Sequence, residues 1–278
     1  MRAAEILGVD TVRFIEPSFS ELTNAVFNDL LAGLPGDEAR LLIDEREEPL
    51  ALAFHDGGSW TAGTFICRRP SVAAIEHFEE LPGEIYQEDR SRWVTAVREH
   101  FSNGITANVS PAIDDMNRDR PLIIEDLIRR TWGRGTGETC LDFCCGSGAG
   151  SSVLRSLGYT PLSCDNDPAL LSRGFASGRL LPEETICIDA TRASDYLDPV
   201  PRAIAVMMGE INLHSQELWQ QLVSQIFSLA GEVLITVGTE PEAGLIRKWG
   251  EEMGKKVMVS ENPKDPIYDR WVCVSGKA

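Results

Sequence analysis

The chain reads as an α/β protein: a mostly parallel sheet covered by helices, preceded by a separate α+β region. Three observations carry this reading. From Cys140 onward, short apolar segments alternate with helical ones, which is the pattern of parallel strands joined by helical crossovers. The first of these segments, Cys140–Phe143, runs straight into a glycine-rich turn, Cys144-Cys-Gly-Ser-Gly-Ala-Gly150. The last two, Lys256–Val259 and Trp271–Val274, are separated by a stretch centred on Glu261-Asn-Pro-Lys-Asp-Pro266 that holds no helix. Parallel strands need a long crossover, so this final pair is expected to form an antiparallel hairpin.

The intervening strands are expected at Pro161–Cys164, Thr185–Ile188, Ala203–Met208 and Glu232–Val237, seven in all with the three above. Helices are expected to begin near Ala149, Pro168, Ser215 and Pro241. Pro121 opens a further helix before the glycine turn, with Leu122, Ile123, Leu127, Ile128 and Trp132 apolar. Upstream, Ser18 and Glu21 have the spacing of a capping box ahead of Leu22, Val26, Leu30 and Leu31. Strands are expected at Arg40–Ile43, Leu50–Phe54 and Trp60–Cys67, the last two joined by His55-Asp-Gly-Gly58, a hairpin turn. Helices follow near Ser71–Leu81 and Asp89–Phe101. The expected division is an accessory region over residues 1–118 and a second domain over 119–278.

Composition sets the class. The 278 residues are 43% hydrophobic and 25% charged, as in globular proteins, with a net charge of −17. Such acidity argues against a protein that grips nucleic acid with its whole surface, since phosphate binding draws on clustered Lys and Arg. No run of about 18 apolar residues occurs, so no membrane-spanning helix is expected. The seven cysteines are odd in number and unevenly spread. That points to reduced thiols and a cytoplasmic location rather than a disulfide framework. Cys140, Cys144, Cys145 and Cys164 contain no Cys-x-x-Cys pair and have no neighbouring His in sequence, so no metal site is expected.

The glycine turn is a place for a nucleoside-containing ligand, because glycine lets backbone approach closely and the following helix offers unpaired N–H groups. A dinucleotide fingerprint, Gly-x-Gly-x-x-Gly, fails here: counted from Gly146 the third position is Ser151, and counted from Gly148 it is Val153. The phosphate loop with Gly-Lys-Ser/Thr is also missing. Asp142, just before the turn, would repel a pyrophosphate but suits a ligand with positive charge. Asp165, ending the second strand, can accept from two ribose hydroxyls. Asp165 alone fits NAD or S-adenosylmethionine; with Asp142 it favours the sulfonium cofactor.

The runs LDFCCGSGAG, SCDNDPALL and CIDAT resemble the first three motifs of the class I S-adenosylmethionine-dependent methyltransferases. The resemblance covers about residues 120–278, and the family's sheet also ends in an antiparallel hairpin. It implies that Asp142 and the backbone at Gly146 and Gly148 hold the methionine end of S-adenosyl-L-methionine. Asp165 would take the ribose hydroxyls, with Asn166 beside the adenine. Asp189 would accept from the adenine amino group, and Ala190 would offer its N–H. Cys144 stands where the family has glycine. After the fourth strand, Gly209-Glu-Ile-Asn-Leu-His214 is expected to face the acceptor. Glu210 would position or deprotonate it, Asn212 would hydrogen-bond it, and His214 would act as a base. The family's Asn/Asp-Pro-Pro-aromatic motif of nucleic-acid-base and glutamine methyltransferases is missing there. The implied acceptor is a small molecule or a protein side chain. Trp60, Tyr86, Trp93 and Arg118 are candidate contributors from the accessory region, although core packing explains the aromatics better. An NAD(P)-dependent Rossmann oxidoreductase and a non-catalytic cofactor-binding module are the alternatives.

Overall fold

The computed structural model describes residues 2–114 and 116–276. The chain divides into two compact units, Met1–Gly104 and Ile105–Ala278. The division lies some fourteen residues before the expected boundary. The segment from Ile105 to Asp114 packs with the second unit: Ile105 joins Cys145, Leu171 and Leu180 in an apolar cluster. Ser172 Oγ donates to Val109 O at 2.8 Å, and Ala112 N donates to Ala169 O at 3.0 Å.

The first unit is a mixed five-stranded sheet with helices. In chain order it contains α1 (Ala3–Ile6), β1 (Val12–Phe14), α2 (Val26–Ala32), β2 (Glu38–Ile43), β3 (Pro49–Asp56), β4 (Ser59–Thr64), α3 (Val72–Glu79), β5 (Gly83–Gln87) and most of α4 (Arg90–Asn108). The strand order is β1-β4-β3-β2-β5. The antiparallel β3–β4 hairpin forms as expected, with Asp56 opposite Ser59 across Gly57 and Gly58, both at positive φ. Ser18 does not cap a helix. Its hydroxyl pairs with Ser20 Oγ at 2.8 Å, a short 3-10 turn covers Phe19–Glu21, and α2 begins only after Asn24 Oδ1 has accepted from Val26 N. The edge strands β1 and β5 pair in parallel with β4 and β2.

The core of this unit gathers Leu31, Ala39, Leu52, Phe54, Phe65 and Ala74. Trp93 is fully buried, and its Nε1 donates to Thr64 Oγ1 at 3.0 Å, so the indole's polar atom is satisfied inside the core. Trp60 and Tyr86 flank the Arg40 guanidinium at 4.7 and 5.2 Å.

The second unit contains α5 (Arg120–Trp132), β6 (Thr139–Phe143), α6 (Ala149–Ser156), β7 (Thr160–Asp165), α7 (Pro168–Ala176), β8 (Thr185–Cys187), β9 (Val200–Ala205), α8 (Gln216–Leu229), β10 (Ala230–Val237), α9 (Glu240–Glu252), β11 (Val257–Glu261) and β12 (Trp271–Ser275). Its seven strands lie in the order β11-β12-β10-β9-β6-β7-β8. Strands β6 to β10 are parallel, and β12 runs antiparallel to both β10 and β11. β9 ends at Ala205, three residues before the expected Met208, because Met207 takes φ +61° and breaks the extended backbone.

Local chemistry places the helix starts. Asp167 caps α7, accepting from Ala169 N and Leu170 N at 2.8 and 3.2 Å, with Pro168 pre-set in the first turn. Thr239 and Glu242 cap α9 reciprocally. α5 and α6 pack on one face of the sheet, where Ile124, Ile128, Cys140, Leu154, Ile204 and Leu234 form a buried cluster.

The start of α6 depends on glycine. Gly148 sits at φ +83°, and a Cβ there would come within 2.6 Å of the Leu180 side chain. Gly146 also has positive φ, +54°, but a Cβ there would meet open space. Gly148→Ala therefore adds overpacking to backbone strain and is expected to cost roughly 2–4 kcal/mol, against about 1–2 for Gly146→Ala. Urea denaturation of the two variants checks this order, and equal losses would contradict it.

Candidate functional site

The sheet's strand order reverses between β6 and β9, and open α/β sheets bind ligands beyond the carboxyl ends of the strands at such a point. β6 is buried along Cys140–Phe143 and delivers Asp142 to this place with no solvent exposure. Asp142 Oδ2 accepts from Ser151 Oγ at 2.5 Å, and Ser151 Oγ lies 2.7 Å from Ser163 Oγ on β7. Asp142 Oδ1 is buried without a hydrogen-bond partner. Burial pushes the carboxyl up to about 6, with Asp165 adding to the rise and Ser151 and Arg120 opposing it.

The turn after β6 is built on three left-handed residues: Cys144 (φ +56°), Gly146 (φ +54°) and Gly148 (φ +83°). Cys144 thus adopts the conformation that glycine takes freely, at a cost of roughly 1–2 kcal/mol for a residue with a Cβ. Two bonds tie the turn to β7. Cys145 N donates to Cys164 O at 3.0 Å, and Gly146 N donates to Asp165 Oδ2 at 2.8 Å. Asp165 Oδ1 accepts from Asp167 N at 2.9 Å. The Asp165 side chain is largely buried, and burial raises its carboxyl above the ordinary value despite these donors.

A cavity of about 440 Å³ opens above the turn. Cys144, Cys145, Gly146, Ser147 and Asp165 form one side of it. Val206, Met207, Met208 and Trp219 form another, with Asn117, Arg120 and Tyr268 completing the wall. Arg120 is the cation of this cavity. Its Nε donates to Asp269 Oδ2 at 3.2 Å, and its guanidinium lies 5.8 Å from the Tyr268 ring centre. Asp269 is fully buried and also accepts from Thr236 Oγ1 at 2.5 Å. This pair joins the start of α5 to the loop before β12. Sequence reasoning named Arg118, which is exposed, and missed Arg120 and Asp269. Nothing in the local pattern links two residues 149 positions apart.

Seven strands in this order, a reversed seventh, and a glycine turn after the first central strand decide the architecture. The second unit has the class I methyltransferase fold. No family model and no curated protein matches the chain. Solved structures do. A magnesium protoporphyrin IX methyltransferase from Synechocystis PCC 6803 with bound S-adenosylmethionine is 14% identical, covering 66% of this chain and 97% of its own, with TM-score 0.48. A TehB-like S-adenosylmethionine-dependent methyltransferase from Corynebacterium glutamicum is 20% identical, covering 56% and 88%, with TM-score 0.45. A precorrin-6y C5,15-methyltransferase from Geobacter metallireducens is 11% identical, covering 62% and 95%, with TM-score 0.44.

Within this methyltransferase fold, the cavity brings together Cys144, Gly146 and Asp165 of the residues singled out from sequence. Asp142 lies beneath the turn, and Gly148 faces Leu180. Asn166 is exposed directly after Asp165. Asp189 is exposed at the end of the β8 segment, where its Oδ1 accepts from Thr191 N and Oγ1 at 2.9 and 2.7 Å; Ala190 beside it is buried. Glu210, at φ +34°, and His214 are exposed and do not line the cavity. Asn212 is spent on local structure: its Oδ1 accepts from His214 N and Ser215 N ahead of α8. Glu242 Oε1 anchors the segment by accepting from Ile211 N at 2.9 Å.

The thiols near the turn are held in their neutral form. Burial pushes Cys164 up to about 12 and Cys187 up to about 11, and raises Cys144 and Cys145 well above the usual range. Among the described residues, no three His, Cys, Asp or Glu side chains gather as a metal site.

The buried Asp142 predicts a pH signature. Its folded-state value of about 6 exceeds the ordinary 3.8, so the folded protein holds the proton more tightly than the unfolded chain. The associated stability is full below pH 4 and is lost as pH rises through 6. Relative to Asp142→Asn, which stays neutral, wild type should lose about 1–2 kcal/mol between pH 5 and pH 7.5 in urea denaturation. A difference that does not change with pH would show that Asp142 is not the titrating group.

Proposed function

We propose that the protein is an S-adenosyl-L-methionine-dependent methyltransferase acting on a small-molecule or protein acceptor. The observation that carries the reading is one cavity holding three chemically distinct features. These are an acceptor carboxylate (Asp165), an open backbone cradle (Gly146) and a guanidinium (Arg120).

These residues fit that cofactor. A Cβ at Gly146 would meet no atom within 4 Å, so the backbone is open to close approach. Asp165 would accept from the ribose hydroxyls while keeping its bonds to Gly146 N and Asp167 N, since each carboxylate oxygen accepts more than one donor. Asn166 would lie beside the adenine, with Asp189 and Ala190 at its amino edge. Arg120 would hold the methionine carboxylate through the nitrogens not given to Asp269. Asp142, beneath Cys144–Gly148, would supply negative potential toward a sulfonium, while the same charge disfavours a dinucleotide's pyrophosphate.

When bound, the cofactor supplies an activated methyl group. The chain's share of catalysis is then alignment: holding both reactants within a water-poor cavity so that displacement proceeds in line. Val206–Met208 and Trp219 would form the wall against which the acceptor packs. Glu210 and His214 would reach the acceptor from the rim, positioning it or taking a proton where the acceptor atom carries one. The first unit would serve acceptor recognition. Seven free cysteines accord with a reducing cytoplasm.

Two measurements test the reading. Calorimetry with S-adenosylhomocysteine should give saturable binding by wild type and at least tenfold weaker binding by Asp165→Ala and Arg120→Gln. No binding at millimolar ligand, with tryptophan quenching by NADH instead, would transfer the site to a dinucleotide oxidoreductase. In a screen with labelled cofactor, Glu210→Gln and His214→Ala are each expected to lower turnover less than tenfold if they position the acceptor. A loss of about a thousandfold in one of them would identify an obligate base.

A further inference from the structure

A second cavity, of about 410 Å³, lies wholly within the first unit. Its walls include Arg46, Arg68, Arg69 and Arg90, together with Asp44 and Glu48. The concentration of positive charge is unusual for its setting. Residues 1–104 contain nine Arg, no Lys and nineteen Asp or Glu, a formal balance of −10. Four of those nine arginines line this one cavity, against two carboxylates.

The carboxylates do not answer this charge in full. Asp44 Oδ1 already accepts from Arg46 N and Glu48 N, each at 2.9 Å, and Oδ2 lies 3.9 Å from Arg90 Nη1. Arg90 Nη2 is anchored on Ile66 O at 3.1 Å, which fixes the head group at the cavity wall. Arg68 is buried and paired with Glu16, also buried, and it donates to Leu22 O and Asn28 Oδ1, so it braces the wall from behind. Arg46 and Arg69 are exposed and form no ion pair with any described residue. Arg90 opens the nineteen-residue helix α4, and its backbone N–H is already taken by Glu45 Oε2 at 3.2 Å, so the charge offered to the cavity is that of the guanidinium groups and not of the helix end.

We propose that this cavity is a binding site for a compact multivalent oxyanion, a phosphate or carboxylate group, held by Arg46, Arg69 and Arg90. Guanidinium groups bind both kinds of anion by paired N–H donors, and several converging on one anion select for multiple charge. The apolar floor given by Phe65, Ile66 and Pro70 leaves room for an organic body attached to the anionic group. The site is independent of the methyl-transfer reading.

The test uses the full-length protein with pyrophosphate and citrate as probes, titrated by calorimetry at matched ionic strength. Saturable binding of at least one probe at micromolar to millimolar concentration is expected. Pyrophosphate preference would assign phosphate chemistry and citrate preference carboxylate chemistry. Arg46→Ala/Arg69→Ala should weaken that binding at least tenfold. Both side chains are exposed, so the variant's urea midpoint should match wild type and confirm that it is folded. Failure of both probes to bind wild type, or undiminished binding by the folded double variant, would overturn the proposal.

Discussion

One buried carboxylate fixes the geometry of the larger unit. Asp142 stands at the end of the central strand β6 with no access to water, and it holds the first turn of α6 through Ser151. A Cβ at Gly150 would come within 2.7 Å of its Oδ1, so the helix can approach the sheet only because that position has no side chain. Helix, strand and turn are thus mutually determined by a group that costs free energy to bury. The partial compensation is the chain Asp142–Ser151–Ser163, which also links β6 to β7. An apolar residue at position 142 would avoid the penalty but would release Ser151 and with it the tie between β6 and the first turn of α6.

The turn itself carries the consequence. Its two bonds to β7, from Cys145 N and Gly146 N, leave little freedom between the strand ends, so Asp165 is oriented before any ligand arrives. Orientation in advance lowers the ordering cost of binding. Cys144 sustains a left-handed backbone in that frame, and its thiol is kept neutral by burial. The cysteines around the turn are small side chains, and burial raises the thiols of Cys144, Cys145 and Cys164 above the usual range.

Much of this is legible in the amino-acid sequence alone. Period and length placed the strands and helices of the second unit, because apolar parallel strands and capped amphipathic helices carry their own signals, as at Asp167-Pro168 and Thr239–Glu242. The short connection after Glu261 required a hairpin, and one is present. What failed to show has physical reasons. β1 spans three residues, and β5, Gly83–Gln87, is largely exposed with no apolar alternation, so neither edge strand leaves a pattern. Ser18 has the spacing of a cap, yet the backbone turns at Leu22 and the helix waits for Asn24. Arg120 and Asp269 form a pair across 149 residues, which only the sheet brings together.

The two sides of the larger cavity are constructed by different means. The side formed by the glycine turn and Asp165 consists of strand ends locked by main-chain hydrogen bonds, so a change there disturbs the sheet itself. The opposite side begins where β9 stops. Met207 and Glu210 take positive φ, and Leu213 stands 91% exposed. That segment is anchored at its start by the buried Met208 side chain and by the bonds of Met207 N and Met208 N to Thr236, and further on by the buried Glu242 carboxylate on Ile211 N and the Asn212 turn. Met207 is exposed and stands on the cavity wall, so a substitution there alters what an incoming molecule meets while leaving the core intact. Loops held at a few backbone points on a rigid sheet are where binding specificity changes at least cost to the fold.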